Sequence, residues 1–374
     1  MYKKSDLKKY GVEWLILVNI VKGDLELVKK LALNNSIQWG KLIEQAMSHK
    51  IFPMVSYFFL NDEDLFNLIP PFINQYFKIC YDINKLKTEK IKEQVHNIDK
   101  ILKKKNINYA ATKGVILDKL LYDDKGYRFL SDADFMTLPE NKIVIGDALK
   151  EIGFDVGTVD WKMNEVRKMS REEYLRFLMA KDKIPEHVIE IKNDIIKYVS
   201  VGFVTSFTWS CCEYDVDVNN AFIKNVELTI DDSENEVSSL DITHHFIYII
   251  LHLYKHAMVE FLSRWNNDVN LVKFGDVYRY FNKFEDIILD ELPELMKKYN
   301  IEKPIFWTLY HTDSIFNSKM IEKLKGDEFV KNNKEYLNSA KDEKGNTRYF
   351  KGTMMERLVS KNRKELFVSE FKEV

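Results

Sequence analysis

The chain has 374 residues, enough for two or three folded units, and 45% of them are apolar, enough for real cores. A formal charge of −2, with 30% charged residues of both signs, gives no global basic bias, so bulk duplex binding is not predicted. Three cysteines, Cys80, Cys211 and Cys212, make neither a disulfide framework nor a metal-ligand spacing and read as reduced, in a cytoplasmic protein.

With only 13 Gly and 7 Pro, long helices are favoured over a many-stranded sandwich. Lys3, Lys4, Lys8 and Lys9 precede an apolar run over 12–21 that mimics a secretory signal. Glu13 and Asn19 interrupt the run, no small-residue cleavage site follows, and it is too short to span a bilayer, so a first amphipathic helix is expected. Leu25, Val28, Leu31 and Ala32 form a second helical stripe. Ser36 is the expected cap of a helix over 38–49, whose apolar face is Trp39, Leu42, Ile43, Ala46 and Met47. A break is expected at Pro53, and Pro70 and Pro71 start a long helix over 72–105. Its last three residues are lysines, where cations suit the macrodipole.

Residues 106–160 change character. The pattern predicts a strand over 107–112, a turn at Lys113 and Gly114, a helix over 115–121 and a strand over 128–138. Pro139 opens a further helix with Ile145, Ala148, Leu149 and Ile152 on its buried stripe; Gly153 ends it and a strand follows over 154–159. This alternation is that of an α/β unit. Ser170 caps a helix to 180, residues 187–193 (HVIEIKN) alternate as a strand, and 199–222 read as β structure compatible with a hairpin. Residues 231–239 read as an acidic, Ser-rich linker. From Asp241 the chain returns to helices over 244–261, 269–281 and 284–299, and 325–374 are highly charged and weakly patterned. The expected fold is α+β: a small mixed sheet over 106–235 between helical regions over 1–105 and 236–374.

The stretch RFLSDADFMTL, 128–138, carries the chemistry. Side chains alternate across a strand, so Asp132 and Asp134 share one face and Ala133 and Phe135 the other. Two carboxylates about 4 Å apart repel by roughly 4 kcal/mol at an effective dielectric near 20. A hard dication between them removes that cost, and Mg²⁺ is bound by one or two carboxylates plus substrate phosphates. The alternative is a solvated strand end. Gly114 at a strand-to-helix turn lets backbone N–H groups reach a phosphate, and Lys113 adds a point charge; the alternative is an ordinary turn glycine beside a solvated lysine. Arg128 either clamps a phosphate or pairs with Asp132 or Asp134.

Thr112–Lys113–Gly114, YRFLSDADF from Tyr127 and the Ile152–Gly153–Phe154 run resemble the DNA polymerase beta-like nucleotidyltransferase superfamily, and within it a little-characterised bacterial nucleotidyltransferase family. IQWGKLIEQAMSHKIFP from Ile37 and FIYIILHLYKH from Phe246 extend the resemblance. It implies transfer of a nucleoside monophosphate from an NTP, ATP foremost, to an acceptor hydroxyl, with release of pyrophosphate. It implies two Mg²⁺ ions about 3.5–4 Å apart on Asp132, Asp134 and a third carboxylate, and nucleotide contacts from Lys113, Gly114, Arg128 and Ser131. VIEIKND matches the family's third-carboxylate strand best, so Glu190 is favoured over Asp217 or Asp215 of EYDVDVNN, with Lys192 standing where the family has a histidine. The acceptor is a small molecule, peptide or protein; long nucleic acid and membrane are not expected. A non-catalytic nucleotide-binding protein on a degenerate scaffold is the alternative. His252 and His256 share a helix face with His245, but Leu253 follows the first, so the zinc-protease motif is absent and packing is favoured over metal binding.

Overall fold

The computed structural model describes residues 4–370, apart from 181, 210, 211, 264, 265 and 343. The chain divides into two compact units, Asp82–Tyr248 and Met1–Tyr81 with Ile249–Val374. This partition differs from the three regions expected from composition. Residues 82–104 go with the α/β unit because Ile91, Val95, Ile98 and Leu102 contribute to the hydrophobic core of its sheet. The remaining N-terminal helices and the C-terminal helices form a single unit.

Within Asp82–Tyr248 the strands are β1 (Tyr109–Thr112), β2 (Ala133–Thr137), β3 (Asp155–Asp160), β4 (Glu165–Lys168), β5 (His187–Glu190), β6 (Tyr198–Val204), β7 (Val226–Thr229) and β8 (Glu236–Ser239). They form one eight-stranded mixed sheet in the order β4-β3-β5-β6-β2-β1-β8-β7. β2 runs parallel to β6 and β1 parallel to β8; the other neighbours are antiparallel. The sheet is larger than the small core expected. Part of the difference is β8, which lies in the stretch read as a linker. Its serines and glutamate hid a strand whose backbone pairs with β7 and whose Val237 and Ser239 are buried.

Period-two alternation sets the two faces. Ala133 and Phe135 of β2 and Val199, Val201 and Phe203 of β6 point into the core with Val115, Ile145 and Leu149 from the covering helices. Phe135 pairs with Phe203 across the ladder, and their rings stack at 4.8 Å, 12° from parallel. Each such buried Val, Ile, Leu or Phe side chain contributes about 1.5–3 kcal/mol. One-residue alternation then obliges Asp132, Asp134, Ser200 and Gly202 to take the opposite face.

The helices follow their local signals. Gly114–Tyr122 starts at the predicted turn, Pro139–Asn141 is a single 3₁₀ turn leading into Lys142–Glu151, and Gly153 takes φ +94° just past that helix. Ser170 caps Arg171–Met179 in a reciprocal capping box with Glu173. Among the described residues beyond β6 no hairpin forms, and Asp217 caps the short helix Val218–Phe222.

In the other unit, Val12–Lys22 is buried along nearly its whole length, including the interrupting Glu13 and Asn19. Glu13 accepts from Gln38 N at 2.9 Å and Lys41 Nζ at 3.0 Å, and Asn19 donates to the Leu15 carbonyl. Gln38, not Ser36, holds the cap position of Trp39–Ser48, and Pro53 opens rather than breaks a helix, Phe52–Leu60. The weakly patterned C-terminal stretch is ordered by a three-stranded sheet, Ser339–Lys341, Thr347–Phe350 and Phe367–Val368, and by Arg357 and Arg363, both buried on Asp268. Cys80 and Cys212 carry no disulfide, and Cys211 lies outside the described residues. No helix among the described residues is long and apolar enough to cross a membrane.

Candidate active site

The site is built on the polar face of β2, β6 and β5. Asp134 of β2 lies opposite Gly202 of β6. His187 of β5 lies opposite Val201, so the ladder extended by one residue puts Glu186 opposite Gly202 from the other side. Asp134, Gly202 and Glu186 thus form one row, and Asp132, Ser200 and Val188 form the next. Because the middle strand has a glycine, no side chain separates the two outer carboxylates; a Cβ there would stand 3.8 Å from Asp134 Oδ1. Burial pushes the Glu186 carboxyl above its ordinary range, the Asp132 and Asp134 charges push the same way, and a hydrogen bond with Ser200 opposes them.

Asp134 is also held above the carboxylate range, first by burial and then by Asp132, against the pull of Lys113. The Lys113 ammonium donates to Asp134 Oδ1 at 3.0 Å. Burial works against that ammonium's charge, but Asp134 and Tyr248 together hold its pKa above the usual lysine value. Ser131 is exposed, and its hydroxyl donates to Asp132.

Lys113 occupies the turn itself, at φ +48°, ψ −120°, a conformation that glycine adopts more readily. Its backbone N–H donates to His245 Nε2 at 3.0 Å. His245 is fully buried, and burial lowers its pKa to about 3, so the neutral ring accepts through Nε2. Gly114 supplies room rather than a positive φ. A Cβ on it would come 2.7 Å from Leu130 Cδ2 and 3.4 Å from Arg128 Nη1. Arg128 is buried, 6.0 Å from the Tyr122 ring centre; its carbonyl and that of Gly126 accept from Asn84 Nδ2. Its charge acts on Asp134 and on buried Asp118, to which Lys92 donates at 2.7 Å.

The structure brings together Asp132, Asp134, Lys113, Gly114, Arg128 and Ser131. It does not bring Glu190 to them. Glu190 is exposed opposite Tyr198, two rows below the Asp134 row and about 13 Å along the strand from Glu186. Asp215 and Asp217 are exposed, and Asp217 is engaged as a helix cap by Asn219 N and Asn220 Nδ2. The His252 and His256 rings lie 4.6 Å apart, tilted by 54°. Sequence reasoning did not single out Glu186 or Gly202, and named His245 only as sharing a helix face with His252 and His256. Glu186 shares its face parity with Glu190, so only register separates them; the visible signal was a glycine in a strand, VSVGFV, that is apolar apart from Ser200.

Three carboxylates on one face are a hard-oxygen donor set of the kind magnesium takes. As they stand, no three His, Cys, Asp or Glu side chains among the described residues are grouped to hold an ion, and Lys113 supplies the positive charge on Asp134. The chemistry of the donor set therefore fits, with Lys113 in competition.

A family model described as "Uncharacterised nucleotidyltransferase" matches residues 35–317. Among curated proteins, Reticulocyte-binding protein homolog 1 of Plasmodium falciparum (isolate 3D7) is 23% identical over 303 residues, 74% of this chain. The chain spans only 9% of that protein's length. No solved structure matches.

Proposed function

Since this chain belongs to the uncharacterised nucleotidyltransferase family, we propose that its Asp82–Tyr248 unit moves a nucleoside monophosphate from an NTP, ATP first, to an acceptor hydroxyl, in the manner of the DNA polymerase beta-like superfamily. The observation that carries the proposal is the row Asp134–Gly202–Glu186 with Asp132 beside it. Glu186 takes the role that sequence matching gave to Glu190.

Asp132, Asp134 and Glu186 would hold magnesium, which when bound offsets the charge of the triphosphate and of the departing pyrophosphate. The first N–H groups of Gly114–Tyr122 meet phosphate oxygens, and Gly114 leaves them uncovered. Lys113 turns its ammonium from Asp134 to the phosphates, and Arg128 adds positive field from behind the turn. Ser131 orients Asp132. Glu186 receives the acceptor hydroxyl's proton. The acceptor oxygen bonds to the α-phosphorus as the α–β bridging oxygen leaves with pyrophosphate. The acceptor is a small molecule, a peptide or a protein.

The test is pyrophosphate release and label transfer from each NTP with Mg²⁺ over an acceptor panel. Asp134→Asn and Glu186→Gln should lose at least about 100-fold in rate, the scale of a general base, while Glu190→Gln stays active. Full activity in Asp134→Asn would remove the proposal, and an inactive Glu190→Gln beside an active Glu186→Gln would return the role to Glu190. A second reading, nucleotide binding without transfer, is favoured by the Lys113–Asp134 ion pair. Calorimetry showing Mg·ATP binding with no pyrophosphate release over the panel would select it.

A further inference from the structure

The long helix Pro71–Lys104 has two apolar stripes. One is buried and includes Phe77, Ile91, Val95 and Ile98. The other is on the surface: Phe72, Tyr76, Ile79, Ile83 and Leu86 are between 38% and 75% exposed. These five residues recur about every 3.5 residues, alternately four and three apart, which is the seam of a two-stranded coiled coil rather than the broader face of a helix on a globular core. The seam is about 21 Å long. It stops where the next two seam positions become Lys90 and Glu93, which pair with each other at 3.0 Å. Scattered exposed apolar residues need no explanation, but five in heptad register do.

We propose that this face is a self-association surface, its occupant the same helix of a second copy of the chain, parallel and in register. The flanking charges choose that occupant. With Tyr76 and Ile83 at the a positions and Phe72, Ile79 and Leu86 at d, Asp82 falls at g and Lys87 at the following e. A parallel two-fold pair sets each Asp82 against Lys87 of the other copy, giving two opposite-charge contacts. An antiparallel pair over the same seam sets g against g and e against e, so Asp82 meets Gln75 and Lys87 meets Ile73, with no opposite-charge contact. Lys87 already lies 5.8 Å and 5.9 Å from the ring centres of Phe129 and Trp161, and Trp161 is itself exposed, so the apolar surface continues beside the seam. Two heptads make a small interface, so the pair is a transient dimer, with dissociation in the micromolar range.

Sedimentation of the full chain over a concentration series tests this. The wild type should pass from monomer to dimer. Ile79→Glu should weaken the dimer about tenfold or more while leaving the melting temperature unchanged, since Ile79 is on the surface. Asp82→Lys and Lys87→Asp should each weaken it, and the two together should restore it, which an antiparallel pair would not do. A monomer at every concentration, which leaves the face to some other partner, overturns the proposal, as does a dimer insensitive to Ile79→Glu.

Discussion

Lys113 meets several demands at one position. Its backbone sits in a region that costs about 1–3 kcal/mol for a residue with a side chain, and the return is an N–H turned to His245 and an ammonium delivered to Asp134. In the proposed function His245 acts through Lys113 as a positioning residue. His245→Phe leaves a donor without its acceptor and should destabilise the protein by about 1–3 kcal/mol. It should also weaken Mg·ATP binding measured by calorimetry, whereas His245→Gln, which keeps an acceptor, should recover most of both. Equal ATP affinity in His245→Phe and wild type would show that the turn does not depend on this bond. Neither the strain nor the bond was legible in the sequence: the turn was, but the glycine drew attention to itself and the lysine took the positive φ.

At the scale of elements, β6 spaces the two strands that carry the proposed site. It places a side chain on the core face at Val199, Val201 and Phe203 and none on the polar face at Gly202. Gly202→Val should leave the fold intact or stabilise it slightly, because β-branched residues suit strands and glycine does not. It should nonetheless abolish Mg·ATP binding by filling the space between Asp134 and Glu186. Thermal melting and calorimetry on the same sample read the two effects apart, and a variant that melts normally and binds normally would show that the gap is not used. Strongly periodic elements, such as β2 and the long helix Pro71–Lys104, were readable because period and burial agree. β8 and the C-terminal sheet were not, because polar strands are held by backbone pairing and by buried ion pairs formed with distant residues.

At the scale of the whole molecule, buried neutral histidines link stability to pH. His49 accepts from Leu271 N and donates to the Leu358 carbonyl, and His311 donates to the Leu337 carbonyl. Burial lowers the pKa of His49, His245 and His311 to about 3 each. Unfolded, they titrate near 6.5, so between those values the unfolded chain binds more protons and stability falls as pH drops. Asp118, Asp134 and Glu186, with raised values, act in the opposite sense. The comparison that isolates one histidine is His311→Gln, which keeps a donor. Its stability between pH 6.5 and 5 should fall less steeply than that of the wild type, by up to about 1.4 kcal/mol per pH unit. Parallel urea-denaturation profiles for the two proteins would contradict this.

What the sequence by itself determined is local: the helices, the strand that carries Asp132 and Asp134 on one face, and the turn at Lys113 and Gly114, because periodicity and turn chemistry act between near neighbours. What only the tertiary structure decided is pairing: that β6 lies between β2 and β5, that Glu186 rather than Glu190 reaches the row of Asp134, and that His245 closes on the turn from 132 residues away. Glu186 and Glu190 stand on the same face of one strand, and a strand carries no mark of its own register; that is fixed by the neighbours it bonds to.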